Sequence, residues 1–355
     1  MTQITDILVV NPGSTSTKIA VFRDGKEFFE ESLMHDPDKL LGFGSIAGQM
    51  DYRVQVIKEI LKEKNYDIKT LAAVVGRGGM IIGLKGGGYL VNKKLSDAMA
   101  SPDIPQHASS LGAMIAFRIG ESIGIPAYIY DSTMGCELID VAKITGIAGL
   151  EKYGCCHVLN SHAQAMKYAE LIGRKYEDLN LIVCHMGGGI TACAQSGGKI
   201  VDTAAYDDGP MAPERSGGVP LLLFKEICFD GKHTEEDIDK LISGKGGLYS
   251  YLGTTNCIDI EKRIAEGDAE AELVYKAMAY QIGKAIAGLS APLHGKVDAV
   301  ILTGGVAHSK MLTDMIEDYA GHIGKFVVMA GERELEALAE GAARMLSGKE
   351  EAHVY

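Results

Sequence analysis

Two stretches of this chain share one pattern, and that duplication limits what it can fold into more than any other feature. Residues 7–22 read as an apolar run Ile7-Leu8-Val9-Val10, a turn Asn11-Pro12-Gly13-Ser14-Thr15-Ser16-Thr17-Lys18, and a second apolar run Ile19-Ala20-Val21-Phe22. In the second half, Leu181-Ile182-Val183-Cys184-His185-Met186 passes through Gly187-Gly188-Gly189 into Ile190-Thr191-Ala192-Cys193-Ala194. Both copies then reach a Gly-Lys turn, at Gly25-Lys26 and Gly198-Lys199. Strand, glycine turn and strand at matching places in two halves predict a duplicated α/β lobe, with both hairpins facing a shared cleft. The first turn suits a phosphate: glycine and proline tighten it, the Ser14, Thr15 and Ser16 hydroxyls and local amides offer donors, and Lys18 adds one positive charge. A P-loop does not fit, because only one glycine is present and the run after Lys18 ends at Arg23-Asp24-Gly25 instead of continuing as a helix. A polar hairpin tip without a ligand also accounts for this stretch taken alone.

Other chemistry-bearing residues fall at the ends of apolar runs. Residues 26–34 supply a third strand, and Val54, Ile57 and Leu61 mark one face of a helix ending near Asn65. Leu71-Ala72-Ala73-Val74-Val75 runs into Gly76-Arg77-Gly78-Gly79, which places Arg77 at a strand's carboxyl end among glycines that admit a ligand, although a solvated loop arginine reads the same way. His107 opens a helix with Leu111, Ile115 and Ile119 on one face, pointing into a cleft or lying at the surface. Ala127-Tyr128-Ile129-Tyr130 reads as a strand with Asp131 at its end, as a ligand-handling carboxylate or as a cap. His157 and His162, five apart, do not share a helical face and so make no metal pair. A polar segment at residues 170–180 marks a boundary between lobes at 1–170 and 171–334. The long loop 207–220 presents Arg215. One helical pattern covers residues 258–289, with Val274, Ala277, Met278 and Ile282 as its buried stripe. A strand at 297–302 runs into Thr303-Gly304-Gly305, which suits a flat nucleoside or a tight strand-to-helix turn. A closing helix runs from 335, and residues 348–355 read as a frayed tail.

Composition excludes several classes. At 355 residues and 46% hydrophobic, the chain can bury a large core. A net charge of -12 argues against a broad nucleic-acid surface, so a bound anion must be held by a few local cations. No apolar stretch approaches the ~18 residues of a membrane span, and no basic leader precedes the first apolar run, which points to the cytoplasm. Seven cysteines without a Cys-x-x-Cys pair point to reduced, buried thiols.

Four segments together carry a resemblance over nearly the whole length: Val10-Asn11-Pro12-Gly13-Ser14-Thr15-Ser16-Thr17-Lys18, His185-Met186-Gly187-Gly188-Gly189-Ile190, Pro213-Glu214-Arg215-Ser216-Gly217 and Leu302-Thr303-Gly304-Gly305. The chain resembles the acetate and butyrate kinases, within the superfamily of sugar kinases, heat-shock ATPases and actin. Its short length, triple glycine and Pro-Glu-Arg-Ser-Gly loop look like the butyrate and branched-chain fatty acid kinases. The resemblance implies two ribonuclease H-like lobes, each a mixed five-stranded sheet flanked by helices, with the active site in the cleft between them and the helix 335–347 returning to the first lobe. It implies ATP and Mg2+, a small carboxylic acid as acceptor, and a homodimer through the second lobe. Position by position, it places Asn11 beside magnesium and the terminal phosphate, with Gly13, Ser14, Thr15, Ser16, Lys18, His185, Gly187, Gly188, Gly189, Gly304 and Gly305 around ATP. Arg77 and Arg215 would hold the carboxylate and the phosphoryl group, and His107 would line the acid's cleft. His157, with His162 as its competitor, would stabilise the transition state, and Asp131 matches the active-site aspartate. Glu334, with Glu332 as its competitor, would position magnesium. After Asp131 the chain reads Ser132-Thr133-Met134-Gly135-Cys136-Glu137, where those kinases usually continue with proline and a valine-rich run, so the preferred acyl chain stays open.

The expected chemistry is phosphoryl transfer to a carboxylate. An acid with pKa near ~4 arrives already ionised and needs no strong base. The obstacle is repulsion between anions, which arginines, a histidine and a metal relieve. The expected product is butyryl or isobutyryl phosphate, with acetate or propionate as alternative acids. An actin-like or heat-shock-like ATP-gated binding protein is the reading from another class.

Overall fold

In the computed structural model, which describes residues 5–355, the first glycine-turn stretch is a hairpin of β1 (Asp6–Pro12) and β2 (Ser16–Arg23), paired antiparallel with Val10 opposite Ile19. β3 (Lys26–Met34) adds antiparallel to β2, while β4 (Leu71–Arg77) pairs parallel to β1 and β6 (Ala127–Tyr130) parallel to β4. The sheet order is therefore β3-β2-β1-β4-β6, extended beyond β6 by β5 (Gly88–Leu90) and by the short strand His353–Val354. Leu8, Val10, Ile19, Val21, Val74 and Ile129 pack on the helices Met50–Glu63 and Ser110–Ile123. The intervening strand residues, such as Ile7, Val9 and Val75, are buried too, because the helix Glu334–Leu346 also packs on β1, β4 and β6. A strand alternates its side chains between faces, so a sheet clothed on both sides needs the continuous apolar runs seen here.

A second unit repeats the order. β7 (Leu181–Met186), β8 (Ile190–Ser196) and β9 (Lys199–Ala204) form an antiparallel meander, and β10 (Ala299–Gly304) and β11 (Phe326–Ala330) add in parallel, giving β9-β8-β7-β10-β11. One face, with Ile182, Cys184, Val300 and Leu302, packs on the helices Ala269–Gly288 and Lys310–Ala320. The other, with Leu181, Val183, Cys193 and Ile301, packs with Val158, Ala165, Tyr168 and Ala169 of the helix Val158–Leu171. Each fully buried leucine or isoleucine contributes ~1.5–3 kcal/mol.

The chain divides at these cores: residues up to Gly135 join Arg333–Tyr355, and Cys136–Glu332 form the other unit. Residues 136–170, placed with the first lobe on sequence grounds, thus belong to the second unit, because the helix Val158–Leu171 buries its apolar side on β7, β8 and β10. The single helical pattern at 258–289 is two helices, Cys257–Ala265 and Ala269–Gly288. Gly267 turns the chain at φ +91° and Asp268 caps the second helix, its Oδ1 accepting the Ala271 amide at 3.0 Å. The tail is not frayed: His353 and Val354 pair with Tyr89 and Leu90, and Glu350 accepts hydrogen bonds from the Gly88 amide (3.3 Å) and the Tyr130 hydroxyl (3.0 Å). All seven cysteines are free thiols, and no helix among the described residues is long and apolar enough to cross a membrane.

Candidate functional site

In the first unit, β1, β4 and β6 run parallel and end on the same edge of the sheet, at Asn11-Pro12, Arg77 and Tyr130-Asp131. Glu334 opens the helix that packs on these strands, and its Oε2 accepts from Asn11 Nδ2 at 2.7 Å and from Arg77 Nη1 at 3.2 Å. One carboxylate thus ties a carboxamide to a guanidinium from two neighbouring strands. Arg77 Nε is buried without a hydrogen-bond partner among the described residues. A buried, unsatisfied N–H is costly, and an oxyanion brought alongside would satisfy it.

Asp131 sits in the left-handed region at φ +46°, with its Oδ1 accepting the Gly87 amide at 2.8 Å and its own amide donating to Gly87 O at 3.0 Å. One bond fixes the buried carboxylate and the other fixes the backbone that carries it. His107 is exposed just before the helix Ser110–Ile123, and its Nδ1 lies 2.8 Å from Ser109 Oγ. In the hairpin turn, Ser14 and Thr15 are exposed, Gly13 and Ser16 are half-buried and linked by an amide-to-carbonyl bond of 2.8 Å, and Lys18 points to solvent from β2.

Sequence reasoning missed the residue that shapes this turn. Arg53, 0% exposed on the helix Met50–Glu63, reaches the carbonyls of Gly13 (2.9 Å), Ser14 (3.0 Å) and Ser16 (2.8 Å). The signal was present: Gln49, Arg53, Ile57 and Leu61 fall four apart, so a charge occupies the apolar stripe.

In the second unit, His185 lies next to last in β7 and is 2% exposed. Asn160 Nδ2 donates to His185 Nδ1 at 2.9 Å and to Thr303 Oγ1 at 3.2 Å, so Nδ1 is the acceptor and Nε2, 3.5 Å from Glu332 Oε1, carries the ring proton. His157, at the start of the helix Val158–Leu171, stacks on His185 with ring centroids 3.8 Å apart and planes 11° from parallel. Its Nδ1 is 2.8 Å from Thr191 Oγ1, and Thr191 faces His185 across the β7–β8 pair, which brings the two rings together. His162 lies in the core instead, edge-on to Tyr176 at 6.0 Å. The competing pairs therefore separate by surroundings: His157 joins His185, Glu334 joins Asn11 and Arg77, and Glu332 lies by His185.

The β7–β8 turn holds the three glycines and the loop that carries Arg215. Gly187 N donates to Gly189 O at 2.9 Å and Glu214 N to Gly188 O at 3.2 Å, while Arg215 forms a bridge with Ser243. The Arg215 guanidinium fills the space a side chain at Gly189 would occupy and lies 5.8 Å from the Tyr206 ring centre. Its Nε, like that of Arg77, is buried without a partner among the described residues. Gly304 ends β10 at φ +88°, where a Cβ would come within 2.8 Å of Met186 backbone atoms, so only glycine fits. Gly305 starts a short 3-10 turn to His308, and Ser309 then caps the helix Lys310–Ala320, its Oγ accepting the Leu312 amide at 2.9 Å. The glycine pair thus leads into a tight turn before the helix, with open space around Gly305.

Comparison with known proteins adds to this geometry. Residues 140–352 match the profile of the acetokinase family. The chain is 44% identical over 351 residues to butyrate kinase 2 of Clostridium acetobutylicum, covering 98% of this chain and 99% of that one. Among solved structures, an acetate kinase of Porphyromonas gingivalis matches with a TM-score of 0.78 at 18% identity, covering 96% of this chain and 100% of that one. A propionate kinase of Francisella tularensis subsp. tularensis SCHU S4 matches with a TM-score of 0.75 at 18% identity, covering 95% and 98%. At that identity, the solved structures speak to the fold alone.

Proposed function

The chain belongs to the acetokinase family and is a kinase, and on that premise we propose that it phosphorylates the carboxylate of a short-chain fatty acid, butyrate or isobutyrate, with ATP. The reaction is a reversible in-line transfer that yields the acyl phosphate. The observation that carries this reading is that each unit holds a guanidinium at glycine-lined backbone, Arg77 in one and Arg215 in the other, with a buried Nε that an oxyanion would satisfy. The full-length likeness to a butyrate kinase supports the choice of acid.

The acid is ionised at neutral pH, so the protein's task is to offset charge and fix geometry. Arg77 and Arg215 hold the carboxylate and the equatorial oxygens of the phosphoryl group, and His157, stacked on His185, donates to the charge that develops there. Asp131, with one oxygen committed to the Gly87 amide, orients its surroundings and abstracts no proton. His107 lines the acid's approach. The turns at residues 13–16 and 187–189, with Lys18 and His185, bind the phosphates of ATP, and Gly304 and Gly305 receive its nucleoside. Asn11 and Glu334 supply hard oxygen donors, the type magnesium takes alongside nucleotide phosphates. Magnesium, when bound there, adds positive charge at the phosphates. A cytoplasmic location is part of this reading, in keeping with ATP as the phosphoryl donor.

A homodimer is supported by the helix Leu221–Cys228, in which no residue is buried: Leu221 is 81%, Leu222 72% and Leu223 59% exposed, and Phe229 after it 82%. A second copy covers this apolar side.

The test is hydroxylamine trapping of acyl phosphate formed from ATP and magnesium with acetate, propionate, butyrate, isobutyrate and isovalerate. Highest kcat/KM at four or five carbons is expected. A peak at acetate or propionate moves the chain to the sister specificity, and ATP turnover that needs no acid overturns the carboxylate kinase reading.

A further inference from the structure

The turn between β1 and β2 is gripped from inside the unit by a positive charge. Arg53 Nη1 donates to Gly13 O (2.9 Å), Ser16 O (2.8 Å) and Thr17 Oγ1 (3.0 Å), and Nη2 to Ser14 O (3.0 Å) and Gln49 Oε1 (2.8 Å). Nε donates to Gln49 Oε1 at 3.2 Å. Every one of these acceptors is neutral, and no ion pair of Arg53 with a carboxylate occurs among the described residues. Thr17 Oγ1 is held in turn by His35 Nε2 at 2.8 Å. A fully buried cation solvated only by dipoles keeps its net charge, which costs stability unless an anion comes near.

The bonding also sets which way the turn's amides point. In a planar trans peptide the N–H is directed opposite to the C=O. With the Gly13 and Ser14 carbonyls drawn onto the guanidinium, the next amides in the chain, those of Ser14 and Thr15, are directed to the other side of the turn. Both residues are exposed. Amides aimed outward over a buried unit charge make an anion-binding concavity.

We infer that Arg53 is a positioning residue for phosphate binding, aiming the Ser14 and Thr15 amides at the polyphosphate of the nucleotide and backing them with an uncompensated charge. The inference rests on the reading of this turn as a phosphate site. It makes Arg53 more than a staple of the fold, and the two roles part experimentally: a staple affects both substrates alike, whereas a phosphate-aiming group affects the nucleotide.

The experiment measures ATP·Mg affinity by calorimetry, and KM for ATP and for butyrate by hydroxylamine trapping, for the full chain and for Arg53→Lys, Arg53→Met and Gln49→Leu, with circular dichroism to verify folding. Lysine keeps the charge but not the planar fork. Arg53→Lys is expected to weaken ATP about tenfold or more and Arg53→Met further, with KM for butyrate moving less than about twofold. Gln49→Leu removes two bonds that steady the guanidinium and weakens ATP by about threefold. A folded Arg53→Lys with unaltered ATP affinity, or equal losses for ATP and butyrate, overturns the inference. If neither Arg53 variant folds, Gln49→Leu decides, and unchanged ATP affinity there overturns it. Absence of ATP binding by the unsubstituted chain overturns the phosphate reading itself, whereas normal binding with unaffected variants overturns this inference alone.

Discussion

Placing a methyl group on Gly189 is expected to disable the enzyme through a residue it does not replace. In Gly189→Ala the new Cβ would lie 2.8 Å from Arg215 Nε, with Cζ and Nη1 closer still. Ordinary carbon contacts are about 3.5–4.0 Å, so the guanidinium must retreat by roughly 1 Å or more. Those atoms are the far end of a flexible side chain, and Gly189 has no positive φ to strain, so stability should fall by less than about 1 kcal/mol. A displacement of ~1 Å in a positioned catalytic group costs about 10²-fold, or ~2.7 kcal/mol of transition-state stabilisation. Arg215→Ala, which removes the group outright, should cost roughly 10³-fold. The assay is kcat/KM for acyl phosphate formation in a double-mutant cycle. If Gly189→Ala acts by moving Arg215, the double variant is no worse than Arg215→Ala alone. The reasoning fails if Gly189→Ala stays within about threefold of the parent, or if the two losses multiply, which would mean that the methyl obstructs the nucleotide directly.

Three further outcomes can be checked. Asn160→Ala takes a donor from both His185 Nδ1 and Thr303 Oγ1. It should cost about 1–3 kcal/mol, several degrees of melting temperature, and a variant as stable as the parent would count against the network. Burial first, then Arg53 and Lys39, lowers the pKa of His35 from 6.5 to about 4. The unfolded chain therefore takes up this proton at higher pH than the folded one, so the stability contribution is full above about pH 6.5 and lost as pH falls toward 4, a difference on the order of 3 kcal/mol. Urea melts between pH 7 and 5 should show that slope flattened in His35→Gln, and an unchanged slope would assign it elsewhere. Leu222→Asp should convert a dimer to monomer in analytical ultracentrifugation, and a dimer that persists at micromolar concentration would remove this helix from the interface.

The hairpins and strand ends were readable because glycine breaks flank short apolar runs, and that is where Arg77, Asp131 and His185 lie. Helix details were less so: the periodic pattern after Cys257 hid the break at Gly267-Asp268, since apolar spacing carries on across a capped junction. Spacing could not separate Glu332 from Glu334 or His157 from His162, because each pair differs by which neighbour it meets in three dimensions. Arg53 escaped for a sharper reason. Charged residues on helices normally face water, and only the carbonyl-rich turn packed against this one reverses that expectation. The tail looked free because pairing with a three-residue strand, β5, leaves almost no mark in sequence.

The unit that holds Asn11 and Arg77 is written in two pieces, with Cys136–Glu332 lying between them in sequence. A ribosome at ~5–20 residues per second needs roughly 10–40 s to cross that intervening stretch. Throughout that interval the nascent sheet has β1 to β6 but neither the helix Glu334–Leu346 that covers β1, β4 and β6 nor the carboxylate shared by Asn11 and Arg77. The second unit, contiguous in the chain, is complete first. Assembly of the Asn11–Arg77–Glu334 cluster therefore waits until the residues after Glu332 are made, and a chain translated only that far leaves one face of its first sheet without the helix that covers it.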